Sequence, residues 1–128
     1  MALVAYQPMD ATIVVANVGS TLNFTATIQL LGPNGKALTH VGVVDFYFST
    51  QDDGSDLAAD NTDLTEIAIL TDGLILFESV TDIAGKLISE ADGAIDLRVT
   101  IIDTKTVYLV LVMPDGSLVI SDAMSYTL

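Results

Sequence analysis

The chain has 128 residues, of which 17 are acidic and 4 basic, with no cysteine and one histidine, giving a formal charge of −13. A surface this acidic repels phosphate backbones and anionic lipid, which sets nucleic acid and membranes aside as partners. Hydrophobic residues make up 51% of the chain, which excludes an acidic disordered tail. The length suits one domain whose core buries about two-thirds of the unfolded surface.

Without cysteine, neither a disulfide nor a thiolate metal site can hold the fold. Met1 to Tyr6 carries no basic residue and is too short for a secretory signal. The apolar runs fall short of the ~20 residues that cross a bilayer. A soluble protein made in the cytoplasm is expected.

Residues 1–10 read as an apolar arm broken by Pro8, either an edge segment or a clip onto a neighbour, with a single domain over 11–128. Residues 12–18 form a first short strand, turned by Gly19-Ser20. From Thr21 the pattern has period two. Leu22, Phe24, Ala26, Ile28 and Leu30 share one face and Thr21, Asn23, Thr25, Thr27 and Gln29 the other, as in a half-buried strand. Gly32-Pro33-Asn34-Gly35 is a turn. Val41 to Phe48 is the next strand, apolar on both faces except at Asp45.

Gln51 to Glu66 holds six acidic residues and no basic one. It reads as an exposed loop, with Ser55-Asp56 able to cap one helical turn through Leu57-Ala58-Ala59. Two short strands flank Thr71-Asp72-Gly73. Ile83 to Lys86 and Glu90 to Gly93 read as turns, and Ile95, Leu97, Val99 and Ile101 alternate with Asp96, Arg98 and Thr100 in a second clean strand.

Thr106 to Ile120 is the segment on which the rest is organised, two strands joined through Pro114-Asp115-Gly116. Val107, Leu109, Leu111 and Met113 point one way; Tyr108, Val110 and Val112 point the other. A strand with one wet face alternates apolar and polar, and this one does not. It is either covered on both sides or meets another molecule. Ser125 to Leu128 closes the pattern with an edge strand. About eight or nine short strands with frequent turns and no helical periodicity give an antiparallel β-sandwich with Greek-key connections, a small barrel being the alternative.

Chemistry finds little footing. His40 alone cannot form a two-histidine metal site, unless copies meet on a symmetry axis. There is no nucleophile elbow and no phosphate-binding loop. Asp52 to Asp63 could offer oxygen ligands to calcium, but the spacing of an EF-hand is not met, so a solvated loop is expected. With 17 acidic residues, chance carboxylate pairs carry no weight for glycoside hydrolysis. The expectation is a non-enzymatic protein without cofactor.

From Asp72 onward the sequence resembles immunoglobulin-like domains of tailed-bacteriophage virion proteins. The matching stretches are Thr71-Asp72-Gly73, Glu90 to Leu97 and Thr106 to Ala123, and the strand-turn-strand of Phe24 to Ser49 looks like the earlier half of the same fold. The likeness covers roughly three-quarters of the chain, most clearly residues 72–128. It lacks the Cys…Trp…Cys core of antibody domains, having neither residue. It implies an Ig-like sandwich with a structural role, a head decoration protein bound to the major capsid protein or another virion protein on the virion surface. The alternative is a tail or fibre module that recognises a host-surface carbohydrate or protein. Strands apolar on both faces also imply a homo-oligomer, trimer or dimer. The candidate interface is Tyr108, Val110 and Val112 with Val44, Phe46 and Phe48.

Overall fold

A computed structural model describes residues 8–128. They form ten strands and no helix: β1 (Asp10–Asn17), β2 (Asn23–Leu31), β3 (Val43–Ser49), β4 (Leu64–Ile69), β5 (Leu74–Val80), β6 (Ala84–Ile88), β7 (Ala94–Ile101), β8 (Thr106–Val112), β9 (Leu118–Ile120) and β10 (Met124–Ser125). Two antiparallel sheets pack face to face. One has the order β1-β2-β7-β4, the other β10-β8-β3-β6-β5, and β9 also pairs with β8. The first order is that of strands A, B, E and D of an immunoglobulin domain, with β8 and β3 in the places of F and C. The β5–β6 hairpin is the departure. After β4 the chain crosses to the second sheet and adds these two strands to the free edge of β3.

Alternation in sequence becomes burial in space. Phe24, Ala26, Ile28 and Leu30 of β2 and Ile95, Leu97, Val99 and Ile101 of β7 face inward, opposite Val44, Phe46 and Phe48 of β3 and Val107, Leu109 and Leu111 of β8. The rings of Phe46 and Phe48 meet edge to face, 6.1 Å apart, a geometry that aromatic quadrupoles favour. The hairpin after β8 closes as its residues require. Gly116 takes the left-handed position, and the Met113 N–H donates to the Ser117 carbonyl at 2.8 Å.

Two local expectations are corrected. Ile83 to Lys86 is not a turn, because Ile83 is buried and β6 starts at Ala84 in mid-sheet. Gly85 is there because the neighbouring strand comes too close for a side chain. A Cβ would lie 2.1 Å from the Phe77 carbonyl oxygen, where β5 bulges against β6. The acidic segment forms no helical turn. Leu57 instead bridges to Ser49, and the Ala58 N–H donates to the Phe48 carbonyl at 2.9 Å, which lays this stretch along β3. Residues 1–7 of the expected arm lie outside the described residues, and the Met9 N–H already bonds the Leu31 carbonyl at the margin of the first sheet.

Two buried serines mend gaps in the ladders. The Ser89 Oγ accepts the Gly42 N–H at 2.8 Å, and the Ser89 N–H donates to the Gly42 carbonyl. Between β9 and β10, the Ser121 Oγ accepts the Leu109 N–H at 2.9 Å while the Ser121 N–H donates back to Leu109. Each serves a backbone donor that would otherwise be buried without a partner.

Substituting Gly85→Ala forces the β5 backbone away and is expected to cost about 2–4 kcal/mol. Urea unfolding followed by circular dichroism measures it, and a loss below about 1 kcal/mol would show that the hairpin yields freely.

Candidate functional site

The two outer faces of the sandwich differ. On the first sheet, Thr25, Thr27 and Gln29 of β2 and Asp96, Arg98 and Thr100 of β7 point outward, and most of them bond residues of neighbouring strands and turns. The Thr100 hydroxyl donates to the Asn23 side-chain oxygen at 2.7 Å, and Arg98 pairs with Glu66 of β4 at 2.6 Å. This face is mostly polar, although Val14 of β1, opposite Thr27, is 64% exposed on it.

On the second sheet the outward residues are Val43, Asp45 and Tyr47 of β3, Ala84, Lys86 and Ile88 of β6, Tyr108, Val110 and Val112 of β8, and Leu118 and Ile120 of β9. At the edge, Leu74 and Phe77 of β5 lie opposite Ile88 and Lys86. Lys86 and Asp45 form an ion pair, and no other charged side chain stands on these strand positions. Leu74 is 64% and Phe77 49% exposed, and Val41, Val43, Leu57 and Leu118 are exposed as well. Most of the large exposed apolar side chains among the described residues therefore border one sheet.

Part of that face is already covered. Val110 has no exposed surface, yet it stands apart from the main core. Its cross-strand neighbours are Tyr47 and Ile120, and the 50–57 loop folds down over them. The Tyr47 hydroxyl donates to the Gly54 carbonyl at 2.8 Å. A Cβ at Gly54 would sit 2.8 Å from that hydroxyl and 3.4 Å from Leu118, so glycine lets the loop settle this low.

The candidate interface is revised accordingly. Val44, Phe46 and Phe48 face the sandwich core, and Val110 is sealed beneath the loop, so these four are not presented to a partner. Tyr108 and Val112 are half-buried on the outer face. The reading of these strands as apolar on both sides holds, but one apolar row fills the core and the loop covers the centre of the other. The surface that remains open is Val43, Lys86 and Val112 with the β5 edge. The strand after Thr71-Asp72-Gly73 is legible in the sequence as β5, but bulges at Ile75/Phe77 and Glu78/Val80 break its period and hide which of its side chains face outward.

Carboxylates crowd the ends of the sandwich. Burial pushes the Asp72 carboxyl above its ordinary 3.8, and the charges of Asp96, Glu90 and Asp92 add to it. At the β5–β6 turn, burial raises the Asp82 carboxyl, as do Glu78 and Asp60, against a lowering contribution from the Ile67 N–H. One Asp60 oxygen, Oδ1, is buried without a hydrogen-bond donor. In the acidic loop, hydrogen bonds from Ser55 hold Asp53 below its ordinary value. Among the described residues, no group of three or more histidine, cysteine, aspartate or glutamate side chains is placed to hold a metal ion. His40 is exposed in the connection between β2 and β3.

Comparison with protein families, with curated proteins and with solved structures finds no match to this chain.

Two outcomes follow. Val110→Asp places a carboxylate in a sealed apolar site and is expected to unfold the domain, whereas Phe77→Asp at the open edge leaves the melting temperature within about 2 °C. Thermal scans of both variants decide whether the loop seals Val110. The second outcome concerns pH. A carboxyl raised in the folded state takes up a proton on folding, so its penalty is full above the folded pKa and disappears as pH falls towards the ordinary 3.8. Asp82→Asn is therefore expected to raise the melting temperature at pH 7, with the gain shrinking on acidification. Its left-handed φ of 59° suits asparagine, and the amide can donate to Asp60. An unchanged or lowered melting temperature at pH 7 would contradict this account.

Proposed function

We propose that this chain is a non-enzymatic structural protein of a tailed-phage virion, a head decoration protein that seats the open face of its second sheet on the capsid. The observation that carries the reading is the difference between the two outer faces. One is threonine-rich and internally bonded with Val14 as an isolated exposed apolar side chain, while the other leaves Val43, Leu74, Phe77 and Leu118 exposed around a single neutralised ion pair. Exposed apolar side chains gathered on one side of a soluble domain mark an interface more often than a free surface. The Ig-like strand order and the matching turn and strand stretches support a structural role. Binding would come from area and shape, with an apolar centre and a polar rim.

The charge sets the remaining terms. At −13 the copies repel one another in solution, which discourages indiscriminate association and leaves specific contacts to bring them together. A trimer on a local three-fold of the shell joins the copies in a closed ring, and a dimer is the simpler arrangement.

Sedimentation at physiological salt tests the proposal, first with the free protein and then with empty shells of a tailed-phage major capsid protein drawn from the same genome. Co-sedimentation in many copies per shell is expected. It should be lost in a Leu74→Asp, Phe77→Asp double variant and kept in Thr27→Asp, which alters the other face. A protein that stays monomeric and free of the shells would defeat the decoration role. Binding that survives the double variant would place the contact elsewhere.

A further inference from the structure

We propose that the open face takes an extended apolar segment of a partner protein flanked by lysine or arginine; this rests on the reading of that face as the docking surface. Two hollows lie on it. One, of about 580 Å³, is walled by Val43, Val112 and Pro114, and the other, of about 490 Å³, by Tyr47, Leu57 and Phe77. Both touch Asp45, Lys86 and Val112 and so join into one trough that follows β3. From Val41 to Tyr47 this is about 20 Å at ~3.3 Å per residue, the reach of roughly six extended residues. Apolar side chains on one face of such a segment can enter the hollows on either side of the central ion pair.

Charge selects the flanks. Asp52, Asp53 and Asp56 stand in the loop that borders one hollow and Asp115 in the hairpin that borders the other. Among the described residues, the only cation lining the trough is Lys86, already matched by Asp45. That pair is half-exposed on both sides, so it contributes little and is open to exchange. A basic side chain from the guest can share Asp45 or meet the acidic loops at the ends. A second copy of this chain would bring a further −13 to the same place, which makes it the poorer occupant.

The test uses the 15N-labelled full chain and three blocked hexapeptides. One alternates valine and leucine between terminal lysines, the second carries the same core between glutamates, and the third has lysines around serine and glycine. The first is expected to move amide resonances of residues 43–47 and 84–88, and to bind at least about tenfold more tightly than the other two. Asp45→Asn and Phe77→Ser should each weaken it by about three- to tenfold while the remaining spectrum stays folded. Equal binding of the serine–glycine peptide would reduce the effect to general attraction by an acidic protein and overturn the proposal. Shifts outside the trough, no binding at millimolar peptide, or indifference to both variants would overturn it too. If Phe77→Ser abolishes shell binding but the first peptide does not bind, decoration stands and the proposed guest chemistry fails. Peptide binding without shell binding keeps the trough and removes the decoration role.

Discussion

The second sheet depends on β8 being apolar on both sides. Its inward row, Val107, Leu109 and Leu111, completes the core against the first sheet. Its outward row would leave Val110 in water, and the chain resolves this by folding residues 50–57 back over the sheet. At roughly 25 cal/mol per Å², covering Val110, Ile120 and part of Tyr47 offsets much of the entropy lost in ordering that loop. The loop can lie so low because Gly54 has no side chain to collide with Tyr47. Once it is down, its acidic residues stand beside the hollow instead of over open solvent. One apolar row on β8 thus sets both the path of the loop and the extent of the open face.

Electrostatics constrain the same molecule from outside. Of the four basic residues, Lys86 and Arg98 are tied to carboxylates on neighbouring strands. The acidic excess is concentrated in turns and loops, where Asp72 and Asp82 experience neighbours of like charge. Such crowding weakens the fold modestly at neutral pH but keeps a protein with exposed apolar side chains in solution. Stability is traded for solubility here.

Much of this architecture is legible in the residues. The period-two runs of β2 and β7 fix which side chains fill the core, and Pro114-Asp115-Gly116 fixes the hairpin. What alternation cannot report is the agent that covers an apolar row. Val110 and Val112 look alike in sequence, yet only Val110 lies under the loop. β6 was hidden because Gly85 reads as a turn residue, when its purpose is to admit a bulged neighbour. Ser89 and Ser121 carry no sequence signal at all, since their role appears only when strands distant along the chain leave an amide in need of an acceptor.

The Ig-like strand order also governs how the chain can fold. The pairing of β2 with β7 joins residues as far apart as Asn23 and Thr100, and β3 with β8 joins Asp45 to Val112. Among the described residues, only the β1–β2, β5–β6 and β8–β9 pairs are local hairpins. Closing loops this long before any core contact repays the lost entropy makes collapse slow relative to a helical domain of the same size. During that interval the valine- and leucine-rich rows of β3 and β8 are exposed together, and mutual charge repulsion between chains is then a kinetic safeguard against their meeting the wrong partner.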